Sequence, residues 1–191
     1  MQSTTSKQIL GQFVTALSAK QPTPGGGAAA AIGGAIGGAA AQMAAAYTKR
    51  KKDIESGAAD KADALINSIH LDYFLQAADD DASAYADLQR TWKDATMSTE
   101  EKADIEARAL AVPVKLLETC HENIMSIQTF LPFCNPNITS DAKVGIHQLA
   151  GAARAAFQTA MVNSPSEEEK IRLKQLLKDI RKVEDDVLDL D

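Results

Sequence analysis

The sequence predicts an all-α fold: a single-domain helical bundle of five to seven helices spanning 1–191, with one close-packed helix rich in glycine and alanine. Three observations predict it. Apolar residues recur at helical spacing along most of the chain, and no alternating strand pattern survives between them. Boxes of the form Ser/Thr-x-x-Glu/Gln, together with prolines, divide these stripes into helix-length pieces. Aromatic residues make up only 5% of the chain while alanine is abundant, which suits helices that approach closely through small side chains.

Each element has its own signal. Thr5-x-x-Gln8 resembles a capping box and opens a helix through Ile9, Phe13, Val14 and Leu17. The segment Gln21 to Pro24 ends it, because proline restrains itself and the residue before it. Gly25-Gly26-Gly27 then leads into an alanine and glycine helix running to about Tyr47. No charge falls between Gln21 and Lys49, and Ile32, Ile36, Met43 and Tyr47 trace one stripe. The run is long enough to span a bilayer, but alanine and glycine drive insertion weakly, so no membrane is expected. Gly33/Gly37 and Gly34/Gly38 are small-xxx-small pairs that permit another backbone to come close, inside the protomer or across a two-fold interface.

A long helix is expected from about Asp53 to Trp92, with Leu65, Ile69, Phe74, Leu75 and Ala78 on its stripe. Ser98-x-x-Glu101 opens the next, through Ile105, Leu110, Val114, Leu117 and Ile124. Pro113 lies inside that pattern and is expected to kink or break it. Residues 130–139 read as a loop. A helix from about Ser140 to Val162 follows, capped by Ser140 or Asp141, with Val144, Leu149, Ala153, Phe157 and Ala160 inward. Ser166-x-x-Glu169 starts the last helix, whose stripe is Ile171, Leu173, Leu176, Leu177, Ile180, Val183 and Val187.

Composition excludes several classes of function. A net charge of -6 argues against a nucleic-acid partner. Cys120 and Cys134 have no CxxC spacing, and a reduced, cytoplasmic protein is the simplest reading. The N-terminus lacks a secretory pattern. His70, His121 and His147 share no ligand spacing, so no metal site is expected. Gly25 to Ala30 fits G-x-G-x-x-A on paper, but no strand precedes it and no Gly-Lys-Ser/Thr follows, which removes the dinucleotide and phosphate-loop readings.

What remains is chemistry at helix ends. Pro24 and the bare Gly25, Gly26 and Gly27 leave backbone N–H groups uncovered where the Gly/Ala helix begins, a place for an anion or a flat ligand. Asp79-Asp80-Asp81 sits mid-helix in apolar surroundings, and Asp81 shares a face with Tyr85. Either the block is a solvated acidic face, or one carboxylate is buried and tuned for proton transfer. Asn137, Ser140 and Asp141 lie where a loop closes on a helix start, as a cap or as a polar rim. The cluster Lys49 to Lys52 is a solvated helix end or a docking patch for an anionic tail.

These segments, in this order and spacing, resemble the formiminotransferase-cyclodeaminase C-terminal family of cyclodeaminases and methenyltetrahydrofolate cyclohydrolases. The resembling blocks are Pro22-Thr23-Pro24-Gly25-Gly26-Gly27, Asp79 to Tyr85, Ala111-Val112-Pro113 and Asn137 to Val144. The resemblance implies an all-α homodimer that acts on methenyl- or formimino-tetrahydrofolate as a stand-alone cyclohydrolase or cyclodeaminase, with the tetrahydrofolate derivative as substrate and no bound cofactor. It implies Asp81 as the catalytic proton-transfer group, with Asp79 second. It implies substrate binding by Pro24, Gly25, Gly26, Gly27, Tyr85, Asn137, Ser140 and Asp141, with Lys49, Lys51 and Lys52 at a polyglutamate tail. Departures from the family pattern fall at Ala28, where serine is usual, at Lys49 and Arg50, where a glycine is usual, and at Thr159, where asparagine is usual; Asp80 adds a charge to the acidic block. The rival readings are a catalytically degenerate module that binds folate or a protein, and a purely structural dimerisation bundle.

Overall fold

The computed structural model describes residues 10–189, and among them all regular structure is helical. In chain order the elements are α1 (Leu10–Leu17), α2 (Gly26–Ala46), α3 (Lys51–Glu55), α4 (Ala58–Ser68), α5 (Leu71–Lys93), α6 (Thr99–Phe130), a 3-10 turn (Leu131–Phe133), α7 (Thr139–Val162) and α8 (Glu167–Leu188). The all-α expectation holds. The box at Thr5 and Gln8 lies outside the described residues.

α2 is the centre of the bundle, flanked by α5 and α7. Both run antiparallel to it: Gly27 faces Asp81 while Gly38 faces Leu71, and Gly33 faces Ala152 while Gly37 faces Gly145. The small-residue pairs serve contacts inside the protomer. A Cβ on Gly37 would lie 2.9 Å from the Leu149 amide nitrogen and 3.0 Å from the Gly145 carbonyl oxygen. One on Gly34 would lie 2.6 Å from the Phe74 ring. Backbone meets backbone here, which only residues without a side chain allow. The bulkier stripe lies elsewhere: Ile36, Met43 and Tyr47 are 49%, 41% and 61% exposed. A helix apolar on every side has no single inward face, so its glycines decide which sides take neighbours.

The helix expected over 53–92 is three helices. Gly57 breaks it first, in the left-handed conformation at φ 76°, which glycine adopts without penalty. Ile69 and His70 break it again with extended backbone. Gln42, a polar residue in α2, donates to the carbonyls of Ile66 and Ile69 at 3.0 and 2.8 Å and so satisfies the end of α4. In contrast, α6 runs unbroken through Pro113, which is buried. A proline removes one backbone donor, and packing against α5, α7 and α8 carries the helix past it.

The caps follow the same division between local and tertiary causes. Ser98 and Glu101 form the full box. Ser166 Oγ accepts from the Glu169 N–H at 3.1 Å, but the Glu169 carboxylate turns to Arg172 instead of closing the box. Neither Ser140 nor Asp141 caps α7, which begins at Thr139. Asn135 organises that end: its Oδ1 accepts from the Asn137 N–H at 3.1 Å and its Nδ2 donates to the Tyr47 carbonyl at 3.1 Å. Val144 and Ile171, expected inward, are 49% and 69% exposed.

Candidate functional site

The site grows from the start of α2. Gly25 is the N-cap, in extended conformation, and its carbonyl accepts the first intrahelical bond from the Ala29 N–H at 3.0 Å. The N–H groups of Gly26, Gly27 and Ala28 have no carbonyl to bond within their own helix. Asp81, delivered by the antiparallel α5, takes one of them: its Oδ2 accepts from the Ala28 N–H at 3.0 Å. Gly27 makes this possible, because a Cβ there would overlap the Asp81 carboxylate. Burial pushes the Asp81 carboxyl above its ordinary range, and the Ala28 hydrogen bond offsets that only in part. A carboxyl so placed can hold and release a proton closer to neutrality than an exposed one.

A cavity of about 420 Å³ opens in front of it. Pro22, Thr23 and Gly25 to Gly27 form one wall, Asp81 and Tyr85 the second, and Thr159, Val162 and Asn163 the third. The structure therefore brings together five of the residues singled out from sequence: Gly25, Gly26, Gly27, Asp81 and Tyr85. Pro24 is buried just behind them and joined to Thr23 by a cis peptide. Asp79 is half-buried on α5 and does not line the cavity, and Asp80 is exposed and accepts from Gln76 Nε2 at 2.9 Å.

The remaining candidates lie at the far end of α2, roughly 30 Å away along a 21-residue helix. Lys49 pairs with Asp63, and Lys51 lies 3.9 Å from Glu55. Arg50 hydrogen-bonds Asp53 and caps α3, which lowers the Asp53 carboxyl to about 2. Lys52 is exposed. Ser140 Oγ donates to Asp141 at 3.2 Å, and Asn137 belongs to the turn built by Asn135. Within one chain, none of the six candidates Lys49, Lys51, Lys52, Asn137, Ser140 and Asp141 lines the Asp81 cavity.

Sequence reasoning marked Thr159 as a departure from the family pattern but did not place the α7 wall at the cavity. Asn163 Nδ2 donates to the Ala109 carbonyl at 3.1 Å and so ties the end of α7 to α6 beside the cavity. The available signal was a polar residue closing an apolar helix just before Ser164-Pro165. Thr159 lines the same wall, its hydroxyl donating to the Ala155 carbonyl at 3.3 Å. Among the described residues no group of three or more His, Cys, Asp or Glu side chains converges as a metal site would require. Cys120 is buried, and burial pushes its thiol up to about 12, far from a reactive thiolate.

The geometry places the protein among helical bundles that present a small-molecule cavity at a helix N-terminus, with a desolvated carboxyl against it. More particularly, the chain belongs to the formiminotransferase-cyclodeaminase family, whose sequence model matches residues 9–182. Among solved structures it is similar to formiminotetrahydrofolate cyclodeaminase from Thermotoga maritima, with a TM-score of 0.82 over 96% of each chain at 19% identity. That likeness shows a shared fold. No curated protein matches the chain by sequence.

Proposed function

We propose that this protein is a folate one-carbon enzyme acting on methenyl- or formimino-tetrahydrofolate, as a cyclohydrolase or cyclodeaminase. The observation that carries this reading is the Asp81 carboxyl, desolvated, held by the Ala28 N–H and facing a cavity large enough for a flat bicyclic ligand. Family membership directs it to folates.

Both reactions need the same service from the protein. In cyclodeamination N10 attacks the formimino carbon and loses its proton. The imine nitrogen takes up that proton and one from solvent, and departs as ammonia. In hydrolysis water adds to the methenyl carbon and loses one proton. Its second hydrogen moves to N5 as the N5–carbon bond breaks, leaving a formyl group on N10. A single carboxyl that accepts a proton from the nucleophile and returns one to the leaving nitrogen serves either course. Its negative charge, when present, also favours a cationic amidine or iminium carbon in a cavity of low polarity.

The departure at Ala28 costs this arrangement nothing, since the contact to Asp81 comes from the backbone N–H and not from a side chain. The reading includes a homodimer, in which a second copy covers the exposed Ile36, Met43 and Tyr47 of α2. Purified protein offered both folates, with methenyl absorbance followed in time, tests the proposal. Loss of absorbance from methenyl-folate indicates the cyclohydrolase, and its growth from formimino-folate the cyclodeaminase. Folate binding without either change indicates the degenerate module, and no binding leaves a structural bundle.

A further inference from the structure

The Asp81 cavity continues beyond Tyr85. A second cavity of about 290 Å³ adjoins it, and Tyr85, Leu88, Val162 and Asn163 line both. Trp92 and Ser164 form its far wall. Asp81, Tyr85, Leu88 and Trp92 follow one another at steps of four, three and four, so one stripe of α5 walls the whole cleft. Ser164, at φ 52°, turns the chain sharply after α7 and closes the end.

Trp92 is the single tryptophan of the chain, and it is 67% exposed. Its ring meets Tyr85 edge to face, with centroids 6.3 Å apart and an interplanar angle of 81°. A T-shaped pair of this kind leaves ring faces open to a third aromatic group. Among the described residues that line the two cavities there is no Lys or Arg, and Asp81 and Glu106 bring carboxylates. The cleft is therefore built for an uncharged, flat extension of the ligand and not for an anionic one.

We propose that Tyr85 and Trp92 form a subsite for an aromatic ring attached to the reacting part of the substrate, which in a folate is the p-aminobenzoyl ring. This rests on the folate reading above. Spacing supports it. Tyr85 stands about one turn, ~6 Å, beyond Asp81 along α5, and the Trp92 side chain leans back towards it, as helical side chains do. In a folate the benzoyl ring is bonded to N10, itself bonded to the one-carbon unit, so bond lengths of this kind put its centre ~4 Å from the reacting carbon. With that carbon at Asp81, the ring falls on the aromatic pair and the glutamate points out to solvent.

The lone tryptophan is also the reporter. The full chain is titrated with p-aminobenzoylglutamate, with a tetrahydropterin lacking the benzoyl group, and with methenyl-tetrahydrofolate, while its emission is followed against free tryptophan as the absorbance control. Saturable quenching by the first and third, and not by the tetrahydropterin, is expected. Trp92→Ala should raise KM roughly three- to ten-fold, as one lost aromatic pair implies, with a smaller change in kcat, and Trp92→Phe should restore most of it. Folate binding seen by calorimetry with unchanged emission, together with a normal KM in Trp92→Ala, overturns the subsite and leaves the folate reading standing. Absence of folate binding overturns both. Emission that shifts with protein concentration in the absence of ligand overturns the subsite too, since a second copy would then cover Trp92.

Discussion

Asp81 occupies the space that a side chain on Gly27 would need, and its carboxylate accepts a hydrogen bond from the next residue along α2, Ala28. The absent Cβ and the half-buried carboxyl are two halves of one feature. Gly27→Ala should force the carboxyl away from the Ala28 N–H and cost on the order of 1–3 kcal/mol by overpacking. Turnover should fall with it. Gly11→Ala is the control, because a Cβ there meets nothing within 4 Å and Gly11 does not line the cavity. Thermal melts and turnover of the two variants side by side check this; equal behaviour would show that Gly27 does not position Asp81.

Asp81→Asn keeps the shape and an acceptor oxygen for Ala28 but removes the titrating group. Turnover should fall roughly 10²–10⁴-fold. Asp79→Asn should do less, since Asp79 does not line the cavity. The opposite ranking would move the proton-transfer role to Asp79.

The same substitution has a signed effect on stability. The Asp81 carboxyl is raised in the folded protein, so folding favours its protonated form. Its contribution is present below the ordinary carboxylate range and lost as pH rises through the raised value. Asp81→Asn should therefore melt higher than the parent protein near neutral pH and match it in acid. The acidic limb of kcat/KM should lie above the ordinary carboxylate range. Melting curves and rate profiles across pH read both, and a variant that melts lower at neutral pH would mean that the charged form is stabilised by the fold.

Gly34→Leu with Gly37→Leu should unfold the bundle before it alters any assembly. The first side chain would drive into Phe74 and the second into the backbone of α7. A loss on the order of 1–3 kcal/mol or more is expected, read by thermal melts with sedimentation alongside. Unchanged stability with a lost dimer would instead place these glycines at a subunit contact.

Lys49, Lys51 and Lys52 stand at the opposite end of α2 from the cavity. Neutralising all three should leave KM for a monoglutamate folate within about two-fold, at low and high salt alike. A monoglutamate KM that rises steeply and recovers with salt would contradict this. A loss confined to long polyglutamates at low salt would show that the lysines of a second subunit reach the tail.

Much of the fold was legible in the sequence because its causes are local. Ser98 and Ser166 start α6 and α8 because a hydroxyl three residues before an N–H satisfies it wherever the rest of the chain goes. The all-α class follows from periodicity, and the start of α2 from Pro24 and the three glycines. The pairing of Asp81 with Tyr85 on one face needed only the helical repeat. The sequence thereby determined the class, most helix ends and the two poles of the candidate site.

Only the tertiary structure decided what those poles meet. α2 is apolar on every side, so its own pattern names no inward face, and the close approach of Gly37 to Gly145 and of Gly34 to Phe74 selects one. Gly57 and Ile69 split one expected helix into three, because the turn at each is supported by residues remote in sequence or by a single left-handed glycine. The antiparallel course of α5 sets Asp81 on Ala28, and that of α7 sends Asn137, Ser140 and Asp141 to the far end while bringing Thr159 and Asn163 to the cavity. Helical periodicity says which residues share a face, but the direction in which neighbouring helices run depends on packing between them, and no spacing within a single helix encodes it.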